Sequence, residues 1–176
     1  PCTQPSALTR PNDTYCLATK RTLATVRWRD TPLVDDPSAH LGESYTVTHA
    51  HGSLQILSVP NWLNKVPGLN AGAILGDVAS GEVDGPQVSS SMSIPSNTQV
   101  IGLGLLRGAG GKTATAGMTY YTSPNGAASF QFGTTNWTCQ LMASCPDGIT
   151  SSNTRATQWA LTNSVVRALL QRGWGA

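Results

Sequence analysis

Residues 118–133 read MTYYTSPNGAASFQFG, and this stretch carries the clearest structural signal in the chain. Two runs of alternating side chains flank Asn125 and Gly126, which both tolerate positive φ angles. A two-residue step of this kind between alternating runs is typical of a β-hairpin. The stretch therefore predicts antiparallel strands at 118–122 and 127–133.

The remaining pattern predicts more strands and a single long helix. Alternating or apolar runs occupy 22–28, 45–50, 53–59, 73–79 and 98–106, and segments rich in proline and glycine separate them. At the end of the chain, residues 151–153 offer a helix cap and Gly173 a stop. Apolar side chains at helical spacing between them are Ala156, Trp159, Ala160, Val166, Leu169 and Leu170. This order predicts a β-rich α/β domain with one long C-terminal helix.

The composition excludes several classes of protein. Only 11% of the 176 residues are charged and the formal net charge is +2, which is too little for a nucleic-acid interface. There are too few charges for a coiled coil laced with Glu–Lys pairs, and no apolar run is long enough to span a bilayer. Glutamate occurs twice, as Glu43 and Glu82. Its scarcity directs attention to Glu82, which lies in a glycine-flanked segment.

The cysteines indicate an oxidising compartment. Four cysteines allow three pairings, and the local one closes the shortest loops. A zinc site is the rival, but it lacks a Cys-x2-Cys pair and a nearby histidine. We expect disulfides, and therefore a secreted, extracellular protein. The small net charge and the lack of a long apolar run predict no nucleic-acid or membrane partner. The predicted pairs are Cys2–Cys16 and Cys139–Cys145.

The start of the chain suggests how it is organised. Residues 1–20 are rich in proline, threonine and asparagine, and we expect a disulfide-tied N-terminal arm there. Residues 21–176 form the β-rich domain. Because the chain begins with Pro1 and shows no signal peptide, we expect a processed or excised piece of a longer polypeptide.

Two carboxylates are the first candidates for chemistry. Glu82 and Asp84 lie in the segment GEVDG at 81–85, which follows an apolar run and is expected to be a loop. A carboxylate there can act as a general base or orient another group. The alternative is a loop carboxylate that accepts hydrogen bonds from backbone N–H groups.

Two histidines are candidates for metal binding. His49 and His51 stand two residues apart in a predicted strand, which would place both rings on one face. Two imidazoles on one face can chelate a metal, as in a cupin-like enzyme. The alternative is a pair of solvent-facing residues at the end of a strand.

Aromatic and amide side chains form a third group. Asn136 and Trp137 follow the hairpin, at the end of a strand where ligands bind in α/β sheets. Asn61 and Trp62 repeat the same combination in an earlier loop. Trp137, Asn136 and Trp62 are therefore candidates for substrate binding, although Trp137 could equally cover the edge of the core.

The order of short motifs resembles a known family. The motifs are WRD at 28–30, LG at 41–42, NW at 61–62, PGLNAG at 67–72, LGD at 75–77, GEVD at 81–84, the hairpin at 118–126 and FQFGTTNW at 130–137. In this order they resemble the C-terminal domain of proteins similar to the large (beta) subunit of N,N-dimethylformamidase. The resemblance extends over nearly the whole chain, and it lies in the order of the blocks.

The resemblance implies a fold and an activity. The implied fold is the C-terminal part of a class I glutamine-amidotransferase-like domain with β insertions. The implied activity is hydrolysis of a small amide by an iron held by two tyrosines and a glutamate, in a segment upstream of this one. Glu82 then corresponds to an acidic residue near the site, and Trp137 to the aromatic residue after the last strand.

The residues and the resemblance together predict one function and leave two alternatives. We expect a component of a secreted hydrolase that acts on C–N bonds of a small amide-like substrate. Its partner would be an upstream polypeptide of the same precursor or a second subunit. One alternative is a non-catalytic secreted module that binds saccharide or protein through its tryptophans and asparagines. The other is a cupin-like metal enzyme that uses His49 and His51.

Overall fold

A computed structural model describes residues 42–86, 94–143 and 152–171 of the chain. Internal contacts divide the chain into Pro1–Pro37 and Ser38–Ala176, and every described residue belongs to the second unit. The predicted arm at 1–20 and the predicted strand at 22–28 therefore lie outside the described residues. So do Cys2, Cys16 and Cys145.

The described residues form five strands and two α-helices. The strands are β1 (Ser44–Ile56), β2 (Ile74–Gly85), β3 (Gln99–Arg107), β4 (Thr113–Thr122) and β5 (Ala128–Gln131). The helices are α1 (Trp137–Leu141) and α2 (Ser152–Gln171). Two short 3₁₀ turns, at Asn61–Leu63 and Ala109–Gly111, connect strands.

The strands form one curled antiparallel sheet in the order β2-β1-β3-β4-β5. Each neighbouring pair is antiparallel, which suits the short connections between β3, β4 and β5. The β-rich character and the C-terminal helix are confirmed. The glutamine-amidotransferase-like part of the predicted fold stays a prediction.

The predicted hairpin is confirmed. Tyr121 pairs with Ser129 across β4 and β5, and the Ser123 N–H donates to the Ala127 carbonyl over 2.7 Å. The Asn125 side chain accepts from the Ala127 N–H over 3.1 Å and so supports the turn from within. Strand β4 begins five residues earlier than the alternation indicates, because residues from Thr113 onward pair with β3.

Two sequence-based boundaries are wrong. Gly52 does not separate two strands, because it pairs with Ala79 inside a continuous β1. The segment 81–85, expected to be a loop, belongs to β2. Gly81 and Gly85 indicate a turn, but the backbone of this segment pairs with β1 on one side and with residues 133–135 on the other.

The sheet closes on itself at β2. After β5 the chain returns to β2, where Thr134 forms a bridge with Val83. The Asp84 N–H donates to the Gly133 carbonyl over 3.1 Å, and the Thr135 N–H donates to the Glu82 carbonyl over 2.9 Å. We call residues 80–84 together with 133–136 the closure seam.

Glycine makes this closure possible. Gly133 has a φ of +69°, and a Cβ atom at this position would overlap the backbone of Gly117 in β4. Only a residue without a side chain lets the two backbones approach so closely. The position of the closure seam is therefore fixed by backbone contact as well as by hydrogen bonds.

A single apolar core lies inside the curl. Its fully buried members come from four of the five strands and include Leu54, Val83, Ile101 and Met118. Burial of each such side chain contributes about 1.5–3 kcal/mol to folding. Leu161 and Val165 add the buried face of α2.

Helix α2 is confirmed, but it buries a different face from the one that its apolar spacing marks. Leu161, Val165 and Ala168 are buried, whereas Val166 and Leu170 are exposed. Apolar residues therefore lie on two sides of the helix. Among the described residues, no helix is both long and apolar enough to cross a membrane.

Candidate functional site

The closure seam brings two of the predicted groups together. Glu82 and Asp84 come from β2, and Asn136 and Trp137 come from the segment after β5. Hydrogen bonds here join residues that lie 49 to 54 positions apart in the sequence. Two candidate groups that sequence reasoning treated separately are therefore neighbours.

Threonine side chains reinforce the seam. The Ser80 N–H donates to Thr134 Oγ1 over 3.0 Å, and the same hydroxyl donates to the Ser80 carbonyl over 2.6 Å. Thr135 repeats the arrangement on Glu82, since its Oγ1 accepts from the Glu82 N–H over 3.1 Å. Each threonine thus binds one residue of β2 through its hydroxyl group.

Glu82 presents its carboxylate to solvent from a fixed backbone. Both its N–H and its carbonyl bond to Thr135, and the residue as a whole is exposed. Val83, the next residue, points into the core. Alternation along a strand then places Glu82 and Asp84 on the same face of β2.

A third carboxyl group lies behind this face, and sequence reasoning did not select it. Glu43 immediately precedes β1 and is only 3% exposed. It lies over β4, because a Cβ atom on Gly117 would come within 3.2 Å of Glu43 Oε1. Neither carboxyl oxygen meets hydrogen-bond geometry within the described part of the chain, although the Thr119 hydroxyl lies beside it.

This environment changes the acidity of Glu43. Burial raises the pKa of the Glu43 carboxyl well above its usual range, the Thr119 hydroxyl lowers it somewhat, and the charge of Asp84 raises it again. Burial is the largest of the three causes, because an ion is poorly solvated in the protein interior. A buried acid beside a more accessible one is an arrangement that separates proton affinities.

The tryptophan that follows the closure seam is part of the core. Trp137 is 4% exposed, its ring stacks on Phe132 with centroids 4.3 Å apart, and its Nε1 donates to Thr162 Oγ1 over 3.0 Å. A ring with both a stacking partner and a hydrogen bond inside the protein has no face for a ligand. The geometry favours the alternative in which Trp137 covers the core.

Trp62 and Asn136 keep partial access. Trp62 is half-buried and packs edge-on against Tyr120 and Phe130, with ring centroids 5.3 and 6.1 Å away. Asn136 is half-buried against Gly81. Both side chains are held in place, and a binding role for them stays a prediction.

The two histidines do not form the regular pair that the sequence suggests. Both are exposed on β1, but His49 has a φ of +51° and lies where the register between β1 and β2 shifts. This bulge removes the strict alternation on which the shared face depended. His51 instead approaches β2, with its Nδ1 4.0 Å from Asp77 Oδ1.

No metal centre is apparent in the described ranges. They contain no group of three or more His, Cys, Asp or Glu side chains that could hold a metal ion. Cys139 lies in α1, and its predicted partner Cys145 lies outside the described residues. The Cys139–Cys145 and Cys2–Cys16 disulfides stay predictions.

Comparison with known proteins supplies the family. The sequence profile described as "N,N-dimethylformamidase beta subunit-like, C-terminal" matches residues 4–150. The chain belongs to this family. The match confirms the resemblance seen in the order of motifs, and it includes the sheet and the closure seam. No curated protein matches the chain.

Proposed function

We propose that this N,N-dimethylformamidase beta subunit-like domain is a component of a hydrolase that cleaves the C–N bond of small amide-type substrates. Family membership supports the reaction class. The observation that carries the proposal is Glu82, an exposed carboxylate whose backbone N–H and carbonyl both bond to Thr135. The fixed backbone sets where this carboxylate starts relative to a substrate.

The chemistry assigns Glu82 and Asp84 different tasks. Glu82 acts as the general base. It takes a proton from a water molecule while the water oxygen attacks the amide carbonyl carbon. The C–N bond then breaks, and the amine leaves with the proton that the base returns. Asp84, on the same face of β2, orients the water or the leaving amine.

Replacement of Glu82 by glutamine tests this role. We expect E82Q to fold normally and to lose at least about 100-fold in turnover, because the amide cannot accept the proton. The assay follows release of dimethylamine from N,N-dimethylformamide, and of ammonia from formamide, by the intact assembly. Asp77→Asn is the control, since Asp77 is an exposed acid elsewhere on β2 and asparagine tolerates its positive φ of 54°. Equal turnover of E82Q and D77N would remove Glu82 from the site.

The resemblance implies an iron held by two tyrosines and a glutamate in a segment upstream of this one. The described ranges offer no His, Cys, Asp or Glu group that fits a metal ion. We propose that an upstream segment or a partner chain supplies the ligands. No step of the reaction is derived through the metal.

We also propose that the curled sheet is the β-rich part of a larger glutamine-amidotransferase-like domain. The antiparallel pairing suits the β insertions of such a fold, and its parallel core would come from elsewhere in the assembly. The exposed apolar side chains Val166, Leu169 and Leu170 of α2 form a surface for that upstream polypeptide. Secretion and the disulfides belong to the same proposal.

A further inference from the structure

Three backbone segments meet around the Glu43 carboxyl group. Gly117 of β4 lies directly under it, and the same Gly117 backbone is in close contact with Gly133 of the closure seam. The Gly133 carbonyl in turn accepts the Asp84 N–H over 3.1 Å. Glu43 therefore lies where β4, the seam and the end of β2 come together.

The packing at this point leaves little room for adjustment. A Cβ atom on Gly117 would overlap Pro86 and press on Glu43 Oε1, while one on Gly133 would overlap Gly117. Water drawn in to solvate a carboxylate would have to separate these contacts. The neutral acid needs no such solvation.

The charged surroundings of Glu43 are simple. From β2, Asp84 is the charged group that faces it, and it has the same sign as an ionised Glu43. From β4, Gly117 and Thr119 face it, and neither carries a charge. In the described part of the chain, no positive group is recorded as lowering the cost of ionising Glu43.

We propose that Glu43 is a proton-controlled latch of the closure seam: the closed seam accommodates its neutral form, and its ionisation opens the seam and displaces Glu82 and Asp84 from their working positions. The proposal concerns regulation of the site described above and rests on that site for its functional meaning. Its physical content is a local opening of residues 133–136 from β2. Burial and the like charge of Asp84 keep Glu43 protonated in the closed seam until the pH is well above the usual range of a glutamate pKa.

Amide hydrogen exchange followed by NMR tests the latch without any activity assay. The Asp84 and Thr135 N–H groups report the seam, and the Ile56 N–H, bonded to the Ala73 carbonyl over 2.8 Å, serves as an internal reference. Protection factors corrected for intrinsic exchange should fall at Asp84 and Thr135 by up to about tenfold per pH unit as Glu43 ionises. Protection at Ile56 should not change.

Matched variants decide the outcome. Glu43→Gln, which cannot ionise, should abolish the pH dependence at the seam, whereas Glu82→Gln should retain it. Asp84→Asn should lower the pH at which seam protection stops falling, because it removes the like charge that raises the pKa of Glu43 in the closed seam. The pH at which protection begins to fall should stay the same, since it is set by Glu43 in the open seam. This variant provides a second measure if E43Q does not fold. Seam protection that falls with pH in E43Q as it does in the parent protein, or that stops falling at the same pH in D84N as in the parent, would overturn the latch. An E82Q variant that keeps its activity would refute the hydrolase proposal, and it would not change the hydrogen-exchange results expected here.

Discussion

At the scale of single residues, Glu43 gives the protein an unusual dependence of stability on pH. Its pKa is raised in the folded state above the reference value of 4.5, so the folded protein binds the proton more tightly than the unfolded chain. The contribution is therefore fully favourable below pH 4.5 and is lost as the pH rises toward the raised folded pKa.

Glu43→Gln should remove that loss. We expect the variant to be more stable than the parent at pH 8 by roughly 1–3 kcal/mol, and to show little difference near pH 4. Urea unfolding of both proteins at several pH values measures the difference between their free energies of unfolding. The contributions of the other carboxylates cancel in this difference. A stability difference that does not grow between pH 4 and pH 8 would contradict the raised pKa.

Gly133 is the second residue whose role can be isolated. Gly133→Ala should destabilise the fold by roughly 2–4 kcal/mol, because the new methyl group overlaps Gly117 and the backbone has positive φ. Gly126→Ala in the hairpin turn is the control. Its φ of +84° is equally unsuited to alanine, but no atom lies within 4 Å of the new Cβ. Equal losses in the two variants, measured by thermal unfolding, would mean that the closure contact contributes nothing.

At the scale of elements, sequence predicted what is local and missed what depends on distant partners. The hairpin at β4 and β5 follows from Asn125 and Gly126, and α2 follows from its apolar spacing, since both signals lie within a few residues. The segment 81–85 gave a loop signal, because nothing near it shows that residues 133–135 will accept and donate its hydrogen bonds. The buried face of α2 was missed because the helix carries apolar residues on two sides.

The candidate site, like the fold, could be predicted from the sequence only in part. Glu82 could be selected from sequence because its residue type is scarce and its segment is glycine-flanked. Glu43 is the other of the two glutamates, but the residues beside it do not suggest a catalytic or binding role. Only the curl of the sheet, which brings β4 and Asp84 to it, makes Glu43 a buried acid. Trp137 shows why the sequence left two alternatives open, since the same residue types form a binding surface or a core depending on what packs on them.

At the scale of the whole molecule, α2 carries four of the eight large apolar side chains that the described residues expose. Leu170 is 79% exposed, and it follows Val166 and Leu169 on α2. Adjacent exposed apolar residues of this kind mark interaction surfaces more often than isolated ones do. The family description names a C-terminal domain of beta subunit-like proteins. We propose that the polypeptide encoded upstream covers this surface.

Co-expression with that upstream polypeptide tests the surface. We expect a stable complex by native mass spectrometry, and Leu170→Gln should weaken it by about tenfold, since loss of a buried leucine contact costs on the order of 1–3 kcal/mol. Leu105→Gln is a closely matched control, because Leu105 on β3 is 78% exposed and lies on a different element. Metal analysis of the same samples should find iron in the complex, because the upstream polypeptide is proposed to supply its ligands. A chain that stays monomeric beside its upstream polypeptide, or that loses the complex equally in L105Q and L170Q, would show that α2 is not the docking surface.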